Sequence, residues 1–364
     1  EFPRSADLFN IQGACNSGLK RFNSAIESHQ QAIDLKPNFV EGYNNLGVSF
    51  RGKGDLDAAL KCYRKALNLK VQLAYVYNNM GVALMDKAEL EAAVSCYKRA
   101  ITINPKYGDT LYNLSGVSEN INQAQGYLKA CIDVQPQHLQ AALNLAALEA
   151  YKGNNERLKQ LCESEDKDHS HLRSFDWFFS LSKRPDLYFN RWHLFDDMIA
   201  LSDKTRPFYE YGVWMGHSFR YLIKSYGKGF GFDTFTGLPE DWHAEPAGTY
   251  SSEGKIPKIE GGEFIVGKFE DTLPAFFSEE RPKASLINFD ADLYSSTLCA
   301  LRYSRDIIDE ETILIFDEFI INRNWEQDEY RALEEFCSEF DIQYEVLSVS
   351  FLTKQVAVRI KSAG

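Results

Sequence analysis

Acidic residues stand at the ends of three short, mostly apolar runs in the second half of the chain. These residues are Asp233, Asp290 and Asp317. Helix-length stretches separate the runs, which favours strands of a mostly parallel sheet. Ligands bind at the carboxyl ends of the strands in such sheets. We therefore expect the three acids to face one crevice, although carboxylates that cap helices or lie on the surface are an open alternative.

An earlier segment, residues 208–218, reads F-Y-E-Y-G-V-W-M-G-H-S. It predicts a short strand carrying Glu210, a turn at Gly212 and a helix that starts after Gly216. Such a turn places backbone N–H groups and the positive end of a helix where a polar ligand can sit. Asp233 follows Gly212 by about 20 residues, the distance at which nucleoside-binding folds hold the ribose hydroxyls. The glycine pattern alone also fits an ordinary strand-to-helix turn.

Composition narrows the classes of partner. The 364 residues carry a net charge of −12 without a Lys/Arg-rich run, which disfavours nucleic-acid binding. No apolar run reaches the roughly 18 residues needed to span a bilayer, and no signal peptide is recognisable. The seven cysteines are widely spaced, so we expect buried thiols in a reducing compartment, a cytoplasmic location and no membrane partner.

A regular period runs through the first half, beginning with the evenly spaced Gly13, Gly47 and Gly81. Two sets of alanines keep the same interval: Ala25, Ala59 and Ala93, and Ala32, Ala66 and Ala100. Tyr63 and Tyr97 share a position that His29 holds in the first unit. Small residues at fixed places let paired helices approach closely. Residues 5–150 thus resemble the tetratricopeptide repeat family, whose units are about 34 residues long.

The fourth unit departs from this pattern. The interval from Pro105 to Pro136 is shorter than the period, and Ser115 replaces the glycine. We expect a shortened turn near residues 120–123. A further helix at residues 140–151 and a charged segment at 154–166 would end the stack.

The sixth position of the repeat holds Asn45, Asn79, Asn113 and Asn144. In tetratricopeptide arrays this position faces the concave groove. Asparagine is both donor and acceptor, so a row of them can hold an extended peptide backbone without reading its sequence. Satisfaction by water or by neighbouring repeats is the alternative.

The second half resembles class I S-adenosylmethionine-dependent methyltransferases, and within them the macrocin-type O-methyltransferase family. The resemblance covers residues 205–360. It is carried by E-Y-G-V-W-M-G-H-S at 210–218, G-F-D-T-F-T-G-L-P at 231–239, G-K-F-E-D-T-L-P at 267–274, D-A-D-L-Y-S-S-T at 290–297 and D-E-F at 317–319.

The resemblance implies roles for single residues. Asp233 would hold the ribose, and Asp290 would be a magnesium ligand and the base that takes the acceptor proton. Asp317 and Glu318 would complete the metal site. The cofactor would contact Glu210, Gly212, Gly216, Ser218, Asp233, Thr234, Phe235, Gly267, Phe269 and Asp290.

The chemistry needs such groups, because a sugar hydroxyl is a poor nucleophile near neutral pH. A base, or a cation that lowers the hydroxyl pKa, assists its methylation. Mg²⁺ prefers a few carboxylates with open positions. His243, in a Gly/Pro/Ser-containing loop at residues 242–254, is a possible second base on a lid, or a solvated histidine. The family usually has two aspartates where this chain has Asp317 and Glu318.

The sequence therefore predicts an α + α/β protein. An all-α tetratricopeptide superhelix would occupy residues 1–166, helical connectors 167–204, and a Rossmann-like, seven-stranded doubly wound sheet 205–364. The expected function is O-methylation of a sugar hydroxyl on a small molecule, glycan or glycopeptide, with S-adenosylmethionine and Mg²⁺. The array would bind a peptide or protein. The alternative is a scaffold protein with a non-catalytic nucleoside domain.

Overall fold

The computed structural model describes residues 5–361. The chain divides into two compact units, residues 1–145 and residues 146–364. The segment expected as a separate connector, residues 167–204, thus lies within the second unit. None of the helices in residues 5–361 has the length and apolar character needed to cross a bilayer.

The first unit is built from helix pairs. They are α1 (Ala6–Gly18), α2 (Phe22–Leu35), α3 (Val40–Gly52), α4 (Leu56–Leu69), α5 (Ala74–Asp86), α6 (Leu90–Ile103), α7 (Gly108–Ser115) and α8 (Ile121–Val134). A further helix, α9 (Leu139–Tyr151), begins in the first unit and ends in the second. The first helix has 13 residues in each of the first three pairs and 8 in the fourth. The shorter fourth repeat therefore arises mainly from early termination of α7.

Glycine positions in the array are explained by ring packing within each pair. A Cβ atom on Gly47 would lie 2.5 Å from the Tyr63 ring, and one on Gly81 would lie 2.5 Å from the Tyr97 ring. Gly13 meets His29 in the same way. Both tyrosines are almost fully buried. The period of the array is therefore the spacing of a repeated glycine–ring contact.

The second unit combines helices with one sheet. The helices are α10 (Glu156–Cys162), α11 (Ser170–Ser180), α12 (Arg191–Leu201), α13 (His217–Tyr226), α14 (Phe269–Phe276), α15 (Tyr294–Ser304) and α16 (Glu329–Phe340). The strands are β1 (Asp186–Tyr188), β2 (Phe208–Tyr211), β3 (Gly229–Asp233), β4 (Gly262–Val266), β5 (Leu286–Phe289), β6 (Ile313–Phe316), β7 (Gln343–Ser350) and β8 (Val356–Lys361).

The strand order is β1-β7-β8-β6-β5-β2-β3-β4. Pairing is parallel except where β8 meets β6 and β7. From β2 the chain builds outward to β3 and β4, then returns to place β5 on the other side of β2. The order reverses between β2 and β5, which is where doubly wound sheets bind ligands.

The expectation of seven strands was wrong, because the sheet has eight and is mixed. The additional strand is β1, a short segment that pairs with β7. The aromatic-rich stretch around it predicted helices only, and so short a strand has too little period to detect.

Aromatic rings fill one face of the central strands. Phe232, Tyr211, Phe289 and Phe316 are register partners on β3, β2, β5 and β6, and their rings stack at 4.7–5.4 Å. The Tyr211 hydroxyl shares a hydrogen bond with Ser304 of α15. On the opposite face, Phe208 packs on Phe219 of α13. Helices therefore cover both faces of the sheet.

Candidate functional site

The residues that follow the aromatic ladder form a second row, at the carboxyl ends of four parallel strands. Asp233, Gly212, Asp290 and Asp317 come directly after the ladder residues. Ladder hydrogen bonds of 2.8–2.9 Å continue into this row, from Gly212 N, Asp290 N and Asp317 N. Because neighbouring strands lie about 4.8 Å apart, these four residues lie side by side along one edge of the sheet. The three acids therefore follow strands that end at the same edge of the sheet, and the crevice that they were expected to face stays a prediction.

Glu210 lies on β2, two residues before Gly212, and is fully buried. The Ser218 hydroxyl, in the first turn of α13, donates to one carboxylate oxygen at 2.7 Å. The other oxygen has no partner among residues 5–361. Burial raises the pKa of Glu210 to about 8. A buried carboxyl with an unmet oxygen is typical of a site that awaits a ligand or an ordered water.

Asn288 is the register partner of Glu210 on β5 and is also fully buried. Neither its amide nitrogen nor its amide oxygen has a partner in the described chain. Residues 210 and 288 are thus two unsatisfied polar side chains on adjacent strands, at the point where the strand order reverses. Sequence reasoning missed Asn288, because one asparagine in an apolar run carries no functional signal.

The tips of these two strands approach each other closely at Gly212. Its φ is +89°, and a Cβ atom there would lie 1.8 Å from the Asp290 carbonyl oxygen. Gly216 has φ +72° and precedes α13, and Gly267 has φ +141°. The three predicted glycines all have backbone conformations that side chains disfavour.

Asp233 is engaged with the backbone. One carboxylate oxygen accepts from Val213 N and Trp214 N at 2.7 Å each, and the other accepts from Phe235 N at 2.6 Å. A carboxylate has about four acceptor positions, so one position remains for a ribose hydroxyl. In this structure Asp233 fixes the turn after β2.

The other predicted cofactor residues lie around these groups. The Thr234 hydroxyl donates to the Gly237 carbonyl at 2.9 Å. Phe235 is fully buried, with φ +58°. Phe269 is 8% exposed and packs edge-on against Tyr211. Both phenyl rings therefore belong to the core, which leaves their backbone groups as the parts that could touch a ligand.

Asp290 and Asp292 follow β5. Burial, and next the charge of Asp317, raise the pKa of Asp290 well above its usual range. Burial and the charge of Glu318 do the same for Asp292, whose φ is +61°. No hydrogen-bond donor of the described residues reaches the Asp290 carboxylate. Asp290 can therefore accept a proton from a group bound at this edge.

The other two predicted metal ligands already hold cationic partners. Arg191, at the start of α12, bonds both carboxylate oxygens of Asp317. Gln355 Nε2 donates to the same carboxylate at 2.7 Å. Lys354 Nζ lies 2.7 Å from Glu318 Oε2. Three carboxylates are the right chemistry for Mg²⁺, but residues 5–361 contain no group of three His, Cys, Asp or Glu side chains arranged to hold an ion. The residues as placed do not fit a metal, and the magnesium site stays a prediction.

The predicted lid is the long connection between β3 and β4. His243 Nε2 lies 2.8 Å from Asp328, which is 7% exposed. Burial raises the pKa of Asp328 and His243 opposes this. Tyr250 packs edge-on against Trp214, and its pKa is raised by burial and next by Asp292. His243 is therefore paired with a carboxylate rather than freely solvated, which fits either an acid–base role or a loop anchor.

In the array, the asparagines bond one another between repeats. Asn45 Nδ2 donates to Asn10, Asn79 Nδ2 to Asn44 and Asn113 Nδ2 to Asn78, at 3.0–3.1 Å. Each bond joins residues 35 positions apart, so it ties one repeat to the next. The amide nitrogens of these three asparagines are thus hydrogen-bonded by neighbouring repeats, which was the alternative to peptide binding. All three side chains stay partly exposed.

Asn144 differs from the other three predicted groove residues. It is 1% exposed and donates to the Tyr112 hydroxyl at 3.2 Å and to the Gln140 carbonyl at 3.0 Å. A groove ligand could not touch it as placed.

Comparisons with known proteins match the helical half. A tetratricopeptide repeat model matches residues 74–107, and a TPR repeat model matches residues 49–87. The heat shock protein STI1 of Saccharomyces cerevisiae is 39% identical over 49 residues, which is 14% of this chain and 8% of that protein. The chain therefore spans less than a tenth of the length of that curated relative.

Solved structures of similar proteins cover a little less than half of this chain. PilF from Pseudomonas aeruginosa is 21% identical with a TM-score of 0.41, over 47% of this chain and 89% of that chain. YrrB, described as a TPR protein with an unusual peptide-binding site, is 18% identical with a TM-score of 0.37, over 46% and 90%. The family models identify tetratricopeptide repeats at residues 49–107, within the run of helix pairs from α1 to α8.

Proposed function

We propose that the second unit is an S-adenosylmethionine-dependent O-methyltransferase that acts on a sugar hydroxyl. The observation that carries the proposal is the placement of Glu210 and Asp290 on adjacent strands at the reversal of strand order, with Gly212 between them. A crevice at this point is the usual ligand position of doubly wound sheets.

Charge supports a cationic ligand. Carboxyl groups at this edge include Glu210, Asp290 and Asp292, each with a pKa raised first by burial. Such groups gain stability when a positive charge arrives. When bound, S-adenosylmethionine brings a sulfonium and an ammonium group, and its methyl group is the one transferred. A nicotinamide cofactor would bring two phosphates to an acidic edge, which is unfavourable.

Asp290 is the proposed base. Burial, and next the charge of Asp317, raise its pKa well above the ordinary value, which increases its affinity for a proton. The Asp290 carboxylate would take the proton of the acceptor hydroxyl as its oxygen receives the methyl group, while the methyl–sulfur bond of the cofactor would break and leave a neutral thioether. Gly212 allows the backbone to approach closely, and Ser218 holds one oxygen of Glu210. These residues contribute mainly by alignment of the reacting atoms.

For the array, protein or peptide binding is the general role of tetratricopeptide repeats. We propose that it brings a protein-linked or peptide-linked acceptor to the second unit. The partly exposed sides of Asn45, Asn79 and Asn113 are the groups that would meet an extended backbone.

The test is calorimetry of the full chain with S-adenosylmethionine and with S-adenosylhomocysteine. We expect micromolar-scale affinity for both, and no heat with either would remove the proposal. Asp290→Asn should abolish methyl transfer and change cofactor affinity little. Asp306→Asn, an exposed aspartate in the same unit, is the matched control and should behave like the unaltered chain. Full activity of the Asp290 variant would disprove its role as base.

A scaffold without catalysis is the second candidate. It is favoured by the three backbone donors on Asp233, which leave little of that carboxylate for a ribose. Calorimetry separates the two candidates, since a scaffold would bind a peptide partner but neither nucleoside.

A further inference from the structure

The two acids that follow β6 are each held by a cationic side chain from a distant part of the sequence. Arg191 reaches Asp317 across 126 residues, and Lys354 reaches Glu318 across 36. The Asp317 side chain is 6% exposed and that of Glu318 is 20% exposed. At such burial an ion pair is far less screened than on the surface, and removing one partner leaves an uncompensated charge.

Both cations are positioned by local structure. Arg191 is the first residue of α12, directly after Asn190, whose side chain caps the helix by accepting from Trp192 N and His193 N at 3.0 Å. The guanidinium therefore projects from a fixed helix start rather than from a loop.

Lys354 lies in the turn between β7 and β8, with φ +73°. The turn is closed by Lys354 N to Ser350 O and Ser350 N to Gln355 O, both 2.8 Å. A left-handed conformation at a lysine costs of order 1 kcal/mol. This turn delivers Lys354 to Glu318 and the next residue, Gln355, to Asp317.

Asn322 completes the arrangement. Its Nδ2 donates to Glu318 Oε2 at 2.7 Å, and its Oδ1 accepts from Lys354 Nζ at 2.8 Å. Glu318, Lys354 and Asn322 thus form a closed triad. A divalent ion could enter only by displacing Lys354 from Glu318 and Arg191 from Asp317, against the repulsion of both cations.

We propose that Arg191 and Lys354 are the resident cations of this edge, and that the site works without a divalent metal. Their positive charges balance Asp317 and Glu318, which leaves Asp290 as the carboxylate that meets the acceptor. The statement about catalysis rests on the proposed methyltransferase function, whereas the statement about cation occupancy does not.

Binding of Mn²⁺ to the full chain, followed by the electron paramagnetic resonance signal of the free ion, tests the occupancy. We expect no binding tighter than about 1 mM. Lys354→Met uncovers Glu318 and should tighten Mn²⁺ binding at least about tenfold. Adding Asp290→Asn to that variant should abolish the gain.

Two controls separate charge from side-chain identity. Lys354→Arg keeps the positive charge and should bind Mn²⁺ as weakly as the unaltered chain. Lys361→Met removes a lysine at the other end of β8, paired with Glu345 at 3.0 Å, and should also have no effect. Circular dichroism establishes that each variant is folded.

Submillimolar Mn²⁺ binding by the unaltered chain that is lost in Asp290→Asn would overturn the inference. So would unchanged Mn²⁺ binding in Lys354→Met. If methyl transfer occurs but stops in EDTA and returns with Mg²⁺, the proposed function stands and this inference fails. Absence of nucleoside binding, by contrast, would remove the proposed function and leave the occupancy result intact.

Discussion

The two units use buried polar side chains in opposite ways. In the array, Asn44 and Asn78 are almost buried and accept hydrogen bonds from the following repeat. In the second unit, Glu210 and Asn288 are fully buried on adjacent strands and leave three polar atoms without a partner among residues 5–361. Both units carry other unmet atoms, and at this sheet edge Glu210 lies near the carboxyls of Asp233, Asp290 and Asp317.

The difference indicates how buried polar groups affect the free energy of unfolding of each unit. Paired amides contribute about 1 kcal/mol each, whereas an unmet buried polar group costs about 1–3 kcal/mol. The array thus uses polar residues to hold neighbouring repeats together. The sheet edge keeps polar residues in a costly state, which is typical of a site shaped for a ligand.

The largest expected effect is that of Gly212→Ala. The added Cβ would meet the Asp290 carbonyl at 1.8 Å at a φ of +89°, so we expect a loss of more than about 4 kcal/mol in the unfolding free energy of the second unit. All five tryptophans lie at positions 177–325, so fluorescence during urea unfolding reports this unit alone.

Gly126→Ala is the matched control. Gly126 lies within α8 of the first unit, where a Cβ would meet nothing within 4 Å. Alanine there should stabilise that unit by up to about 1 kcal/mol and leave the tryptophan-detected transition of the second unit unchanged. A tryptophan-detected transition that is equally unchanged in Gly212→Ala would mean that the tips of β2 and β5 are not in close contact.

Glu210→Gln should change how stability depends on pH. Burial raises the folded-state pKa of Glu210 to about 8, from 4.5, so the folded state binds more protons than the unfolded state between these values. The stability supplied by the neutral carboxyl is complete below pH 4.5 and is lost as pH rises through about 8.

Glutamine removes this titration. Relative to the unaltered chain, Glu210→Gln should therefore gain roughly 3 kcal/mol between pH 5 and pH 8. Tryptophan-detected urea unfolding at both pH values measures it. Parallel pH profiles for the two proteins would show that Glu210 is ionised and satisfied in the folded state.

Asn288→Leu should leave the second unit as stable as before or stabilise it by about 1–2 kcal/mol. Leucine has a similar volume and removes two polar atoms that have no partner in residues 5–361. The same change should weaken nucleoside binding if the amide meets a ligand. Strong destabilisation would instead reveal a well-bonded amide, for example through buried water.

Asn79→Ala should give the smallest effect, a loss of about 1 kcal/mol. It removes the 3.0 Å hydrogen bond to Asn44 that joins two repeats. The ellipticity at 222 nm reports the helices of both units, so the array is followed as the part of the urea-induced change that does not coincide with the tryptophan-detected transition. Lys61→Ala, at an exposed position of α4, is the control and should change stability by less than about 0.5 kcal/mol.

Much of the fold could be predicted from local patterns. The repeat period located the helix pairs, and the short strand predicted to carry Glu210 is observed as β2, Phe208–Tyr211. The glycines at 212, 216 and 267, which were predicted to contact a cofactor, each have a positive φ, and the contact itself stays a prediction. The strand β1 was missed, and the cytoplasmic location stays a prediction.

The candidate site was predictable in its acids and not in their partners. Asp317 and Glu318 were expected to bind a metal, yet they form ion pairs with Arg191 and Lys354. The motif at residues 317–319 contains no signal that predicts a contact with α12 or with the turn after β7. In the same way, the expected ribose acid, Asp233, bonds the backbone of the preceding turn.

The sequence by itself determined the repeat period, the strand ends and the row of carboxylates, because these depend on spacing between residues that are near in the chain. Only the tertiary structure decided which side chains neutralise those carboxylates and which polar groups stay unmet. The physical reason is that charge pairing and burial are settled between segments as far apart as Arg191 and Asp317, whose proximity no local pattern encodes.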